Sequence, residues 1–380
     1  MKILVGLSGG VDSAIAAYLL KEQGHEVTCC FMRNWDSMAN NDFLGNPTIN
    51  DDVCPQEQDY MDALSVAKSL GLELLRVDYV KEYWDNVFDT FLKEYNRGRT
   101  PNPDILCNKY IKFDSFLNFA KAKGFDKIAT GHYAKKAYIN NKAVMLKASD
   151  LNKDQTYFLC QISKEALDYT LFPLGDIDKP EVRRLADKLQ LSIAKKKDST
   201  GVCFIGERDF RKFLQNYLPA KSGNIIDIET HKVLKQHQGV LFYTIGQRKG
   251  LDIGGEGGPW FVVGKDVIKN ELYVASGDDN NYLKSDSCLV TDVNWLYDIE
   301  DEIDACCKFR YRQKDNPVHI KKINDNTVLL TYPQLVKAVT CGQEAVFYLN
   351  DICLGGGVID KVYRNNVDMD EFIKEKLNAK

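Results

Sequence analysis

The sequence has no C-x-x-C pair, no apolar run of the ~20 residues that a membrane span needs, and only five histidines in 380 residues. Each absence excludes something. Without paired cysteines or clustered histidines there is no pattern for a structural zinc site. Without a long apolar run no membrane-crossing helix is expected. The chain enters a strand-like stretch at once, Ile3-Leu4-Val5, so a secretory leader is not expected and the cytoplasm is the expected compartment. In that setting eleven cysteines argue for reduced thiols rather than a disulfide framework. Cys29, Cys30, Cys288, Cys306, Cys307 and Cys353 lie in apolar or strand-like runs and read as small core residues. One further absence is local: the glycine turn near the N-terminus carries no lysine and no G-x-x-x-x-G-K-[ST] spacing, so it is not a Walker loop.

What stands at that turn is Gly6-Leu7-Ser8-Gly9-Gly10-Val11-Asp12-Ser13. It follows the apolar run and precedes Ala14–Leu20, which carries a helical apolar face, so the local reading is strand, glycine turn, helix. Free N–H groups in the first turn of such a helix, together with its dipole, attract an anion. Ser8 and Ser13 add hydroxyls, and Asp12 is a candidate for holding Mg²⁺ against phosphate oxygens. An ordinary βα turn with two glycines is the plainer alternative.

The overall charge of −4 does not suggest a protein that coats nucleic acid. Its distribution is uneven: residues 195–249 carry eleven Lys/Arg against five Asp/Glu, +6 on a chain that is otherwise −10. Such a segment is either a dock for a polyanion or a solvated lysine face.

Along the first half, apolar strand-like runs alternate with helical spacing. Strands are expected at residues 27–32, 72–78 and 127–133, and helices at 14–20, 59–71 and 83–95. This order predicts an α/β fold, a doubly wound parallel sheet flanked by helices. Met32 ends the second strand and Gly131 and His132 end a later one, where a sheet of this type binds its ligand. Residues 34–53 read as a long loop. The two prolines of Thr100-Pro101-Asn102-Pro103-Asp104-Ile105-Leu106-Cys107-Asn108 fix an extended loop with a helix starting near Asp104. Asp104 and Cys107 then share one face of its first turn, where a thiolate is favoured; a capping aspartate beside an inert buried cysteine is the alternative. Lys153-Asp154-Gln155-Thr156-Tyr157 reads as a charged turn before a helix, with Asp154 as a possible N-cap. From Asp209 onward short strands with Gly/Asn/Asp turns replace the βα units, at 240–245, 260–263, 271–275, 288–292, 328–332 and 345–348. The expected organisation is a catalytic domain over 1–208, a small adaptor over 209–277, a β-barrel over 278–364 and a polar, helical tail over 365–380.

Ser8-Gly9-Gly10-Val11-Asp12-Ser13 after an N-terminal strand resembles the pyrophosphate loop of ATP pyrophosphatases, which transfer AMP to a substrate oxygen. Thr100–Asn108, Ala129-Thr130-Gly131-His132-Tyr133, Lys153–Leu159 and Lys195–Gly206 follow in one order, and together with that loop resemble the tRNA-uridine 2-sulfurtransferases. The similarity continues through Gly246–Gly250, Pro259–Val263, Arg310–Gln313 and Leu354–Gly357, nearly the whole chain. It implies ATP-dependent 2-thiolation of the wobble uridine of tRNA. In that reaction the C2 oxygen is adenylated and sulfur comes from a cysteine persulfide, with AMP and pyrophosphate released. The resemblance implies Cys203 as the persulfide carrier, Cys107 as its partner nucleophile and Asp104 as the proton-transfer group. ATP, with Mg²⁺, would sit on Gly6–Ser13, Met32 and Gly131. Asn102, Pro103 and Asp104 would line the flipped uridine, and His132, Lys153, Asp154, Gln155, Tyr311, Arg312 and Gln343 would hold the tRNA. The implied partners are tRNA and a persulfide-carrying donor, a cysteine desulfurase or a sulfur relay protein. Two departures from the family pattern stand out: the long 34–53 loop, and Cys341 where proline is usual before Gly342.

Overall fold

The computed structural model describes residues 1–51, 54–198, 205, 209–254 and 257–378. The N-terminal part is a parallel sheet of β1 (Lys2–Gly6), β2 (Glu26–Arg33), β3 (Glu73–Asp78), β4 (Lys127–Ala129) and the short β7 (Thr170–Leu171), in the order β3-β2-β1-β4-β7. All four pairings are parallel. The central strands are apolar on both faces because helices cover both: Leu4, Cys30 and Ile128 point into one core, Ile3, Val5, Cys29 and Ala129 into the other. The chain leaves β1 toward β2 and β3, then returns to the other side of β1 to form β4. The β1/β4 boundary is therefore the switch point, where the C-terminal ends of the strands open a crevice. α1 (Val11–Glu22) and α2 (Pro55–Leu70) follow β1 and β2.

Two later helices of this part each contain a π turn, at Trp84–Phe88 and at Asn108–Ser115. The second begins directly after the five-residue helix Pro103–Cys107, so Cys107 sits where the helix changes pitch. The strand expected over 127–133 stops at Ala129; beyond it the Tyr133 N–H is taken by the side chain of Gln155, not by a neighbouring strand.

The second half holds two antiparallel-rich sheets. β8 (Gly223–Asp227), β9 (Val233–His237), β10 (Trp260–Asp266) and β11 (Glu271–Ser276) form one, in the order β10-β11-β8-β9. The strand expected at 240–245 is instead a 3-10 turn, Val240–Phe242. Val240 and Leu241 are buried, which gives the run its strand-like look, but Gly239 at φ 125° turns the chain before it can extend. β12 (Lys284–Trp295), β13 (Glu302–Lys308), β14 (Asn316–Asn324), β15 (Thr327–Lys337), β16 (Glu344–Leu349) and β17 (Ile352–Arg364) run in the order β12-β15-β14-β13-β16-β17, and β12 also pairs β17, closing a six-stranded barrel. The barrel wall continues outward. A hairpin of the N-terminal part, β5 (Lys135–Ile139) and β6 (Lys142–Leu146), adds to β17 with Leu146 opposite Ile352 and Met145 opposite Cys353. The tail forms β18 (Val367–Asp368) and the helix Met369–Asn378, whose Ile373 is buried against Gly264 of β10. Among the described residues no helix is long and apolar enough to cross a membrane.

Candidate active site

The loop after β1 is built by glycine and closed by its own serines. Gly9 has φ 76°, and a Cβ there would fall 2.4 Å from the carbonyl oxygen of Asp59 in α2, so only glycine lets the helix and the loop approach this closely. The Ser8 N–H donates to the Ser13 hydroxyl (3.1 Å), which in turn donates to the Gly10 carbonyl (3.1 Å). Gly10 caps α1 without any side-chain acceptor, leaving the first-turn N–H groups and the positive end of the dipole directed at the crevice. The walls are close. Met32, at the end of β2, has its Cε 3.1 Å from where a Gly6 Cβ would stand. Past β4, a Cβ on Gly131 would lie 2.7 Å from the Ser13 nitrogen. Leu7 and Val11 are buried beneath the loop in the core.

The charges around this cradle were not legible beforehand. Lys179, buried at the start of the helix Lys179–Lys188, places its ammonium 2.7 and 2.8 Å from the two oxygens of Asp12, and the Tyr133 hydroxyl donates to the first of them (2.8 Å). Burial, then the neighbouring Asp12 charge, pushes the Tyr133 phenol well above its usual range, so it stays a donor. A Mg²⁺ ion held by Asp12 does not fit this arrangement: both carboxylate oxygens already face an ammonium group. Among the described residues no three acidic, histidine or cysteine side chains cluster as a metal site.

The same lysine reaches Asp198 at 2.8 Å, which also receives Lys153 (2.7 Å) and Arg183 (2.6 Å). Burial alone would raise the Asp198 pKa, but the hydrogen bonds from Lys153 and Lys179 outweigh it and hold the carboxyl far below the usual range. Lys196 is not a free basic side chain either. It donates to the Gly9 carbonyl (3.2 Å) and pairs with Asp59 (2.8 Å) and Asp62 (2.6 Å), tying the loop to α2. Lys195 and Lys197 are exposed.

The helix that carries Cys107 is fixed at its start by the Asn102 side chain, which accepts the Asp104 N–H (3.1 Å), and by Pro103 in its first turn. Asp104 is half-buried and Cys107 buried. The next residues anchor the helix: Asn108 donates to the Phe158 carbonyl (2.9 Å) and Lys109 to the Gln161 side chain (3.0 Å). Cys203 lies outside the described residues.

Comparison with known proteins adds the family. Residues 1–207 match the model described as tRNA methyl transferase HUP domain, 211–276 the tRNA methyl transferase PRC-barrel domain and 285–359 the aminomethyltransferase beta-barrel domain. The tRNA-specific 2-thiouridylase MnmA of Mycoplasma mycoides subsp. mycoides SC is 59% identical over 372 residues, which is 96% of this chain and 99% of that one. The protein of the same name from Bacillus cytotoxicus is 48% identical over 371 residues, 97% of each chain. The chain belongs to the tRNA-specific 2-thiouridylase family.

The residues that the thiouridylase resemblance offers as tRNA contacts divide into two kinds. Four are committed to the fold. Asp154 is buried, its carboxylate accepting the Ala148 N–H (3.0 Å) and the Thr156 hydroxyl (2.8 Å), and burial raises its pKa. Gln155 exchanges two hydrogen bonds with the Tyr133 backbone, Lys153 is paired with Asp198, and Gln343 donates to the Thr100 carbonyl (2.6 Å). Asp154 thus faces inward, its oxygens shaping the turn. The others are His132, Tyr311 and Arg312. His132 bonds Thr130 (2.9 Å) beside Phe113, and burial with the nearby Lys112 charge keeps it neutral. Tyr311 of the barrel packs on Phe158 at 4.4 Å, and Arg312 is exposed. Lys179 is the main residue that sequence reasoning missed. A signal existed: a lysine in the first turn of a helix is opposed by the dipole, so its presence in Lys179-Pro180-Glu181 asks for another reason.

Proposed function

We propose that this chain performs ATP-dependent 2-thiolation of the wobble uridine of tRNA. Replacing a carbonyl oxygen by sulfur requires a better leaving group than oxide, and adenylation of the uridine C2 oxygen provides AMP. The loop Gly6–Ser13, with the uncapped start of α1, would hold the triphosphate, Gly131 would form the opposite wall, and Met32 would border the base. The observation that carries the reading is the loop itself: Gly9 at φ 76° lies against Asp59, and Gly10 caps α1 with no side-chain acceptor, so the first-turn N–H groups are left for phosphate oxygens.

Sulfur would arrive as a persulfide on Cys203 from a donor protein, with Cys107 as the thiol that releases it and Asp104 as the proton-transfer group. The uridine leaves its stack to reach Asn102, Pro103 and Asp104. Tyr311 and Arg312 offer an aromatic face and a cation to unpaired anticodon-loop nucleotides. The test is release of AMP and pyrophosphate that depends on tRNA, together with 2-thiouridine in the digested product. Pyrophosphate release without any 2-thiouridine in the presence of a persulfide donor would return the chain to the amide-forming relatives of the same loop.

A further inference from the structure

The pyrophosphate loop contains no lysine, yet a lysine reaches it from elsewhere. Lys179 is buried, its ammonium sits within 2.8 Å of both Asp12 oxygens, and the same nitrogen is 2.8 Å from Asp198. The two carboxylates belong to different parts of the machinery. Asp12 is in the first turn of α1, on the cradle itself. Asp198 ends the Lys195–Asp198 stretch, next to Lys196, which grips Gly9. Asp198 can spare Lys179, because Lys153 and Arg183 also hold it. Among the described residues, the side-chain partners of Asp12 are Lys179 and the neutral Tyr133 hydroxyl.

We propose that Lys179 is a positioning residue for the phosphate chain, its single ammonium shared between Asp12 of the loop and Asp198, so that a bound polyanion and Asp198 compete for it. This rests on the reading of Gly6–Ser13 as the ATP loop. A triphosphate arriving at the start of α1 adds negative charge beside Asp12 and draws the ammonium toward the loop. Asp198 then falls to Lys153 and Arg183. Nucleotide occupancy is thereby felt at Asp198, across the ion cluster. The half-share taken by Asp198 also lowers the charge available to phosphate in the empty site, which predicts a gain in affinity when Asp198 is neutralised.

Calorimetric titration of the full chain with ATP, and separately with inorganic pyrophosphate, tests this in four proteins: unsubstituted, D198N, K179M and the double variant. D198N should bind both probes more tightly, on the order of 3- to 30-fold, the range of a direct pairwise interaction. K179M should bind both more weakly, and most of the D198N gain should vanish in the K179M background. K179R, which keeps the charge, should bind both probes and retain the D198N gain, and K179Q takes the place of K179M should that variant fail to fold. Unchanged affinity in D198N, or an equal D198N gain with and without Lys179, would overturn the assignment. Absence of binding of either probe to the unsubstituted chain would overturn the proposed function as well, so the two failures are distinct.

Discussion

Gly131 and Ser13 are in backbone contact across the switch point, 2.7 Å separating the Ser13 nitrogen from the place a Gly131 Cβ would occupy, with the Asp12 carbonyl carbon at 2.8 Å. Gly131→Ala must push β4 away from α1. Backbone is on the receiving side, so relief is costly, roughly 1–3 kcal/mol as for other overpacked sites. The variant should melt at lower temperature and lose ATP affinity together. An alanine variant with unchanged ATP affinity would remove Gly131 from the cradle.

The three consecutive lysines should separate by role. Lys195 and Lys197 are exposed, whereas Lys196 is engaged with Asp59, Asp62 and Gly9. K195A/K197A should flatten the salt dependence of tRNA binding by up to ~0.7–0.9 log units of slope per lost phosphate contact. K196A should leave that slope unchanged and instead lower thermal stability, since it strands the Asp59 carboxylate, whose pKa burial already raises against the pull of Lys196. A reduced slope in K196A with unchanged melting would reverse the assignment.

Glu344 gives a pH prediction. It is buried at the start of β16, its Oε2 has no hydrogen-bond partner among the described residues, and burial pushes its pKa up to about 8. Between the unfolded carboxyl value and about 8 the folded chain binds the proton that the unfolded chain has released, so stability falls as pH rises through that window. E344Q removes the titration while keeping the shape. It should be more stable than the unsubstituted chain at pH 8, by on the order of a few kcal/mol. The two should converge toward pH 5. Parallel stability curves across this range would contradict the sign.

The two cysteines of the proposed chemistry should fail at different steps. C203S should accept no persulfide and make no thiolated tRNA, yet still release pyrophosphate with tRNA. C107S should load persulfide on Cys203 and stall, because a neutral hydroxyl does not cleave an S–S bond as a thiolate does. Intact mass after donor treatment distinguishes them; persulfide on Cys107 in C203S, with thiolation retained, would exchange their roles.

Much of the N-terminal half was readable because local rules and tertiary context agree there. Apolar runs of strand length set between helical spacings give a parallel sheet, and Gly9-Gly10 with no lysine gives an anion turn of a non-Walker kind. What was not readable depends on contacts distant in sequence. Lys179 meets Asp12 across 167 residues, and Lys196 looked like part of a basic face until α2 supplied its partners. Leu241 sits in an apolar run that no periodicity rule separates from a strand, and Gly239 alone decides otherwise. The β5–β6 hairpin had a usable signal, Asn140 and Asn141 both left-handed at its turn, but nothing in it says which sheet it joins.

That hairpin limits how the protein can be divided. Residues 1–207 match a family model of their own and invite expression as a fragment. Yet β6 finishes its hydrogen bonding on β17, more than two hundred positions later, and Asn294 of the barrel caps the Cys160 and Ile162 carbonyls (2.8 Å each). A fragment ending near residue 207 would display an unpaired strand edge and orphaned carbonyls, the features that drive self-association. The N-terminal part is therefore completed by the barrel, and the smallest well-behaved protein is expected to be the entire chain.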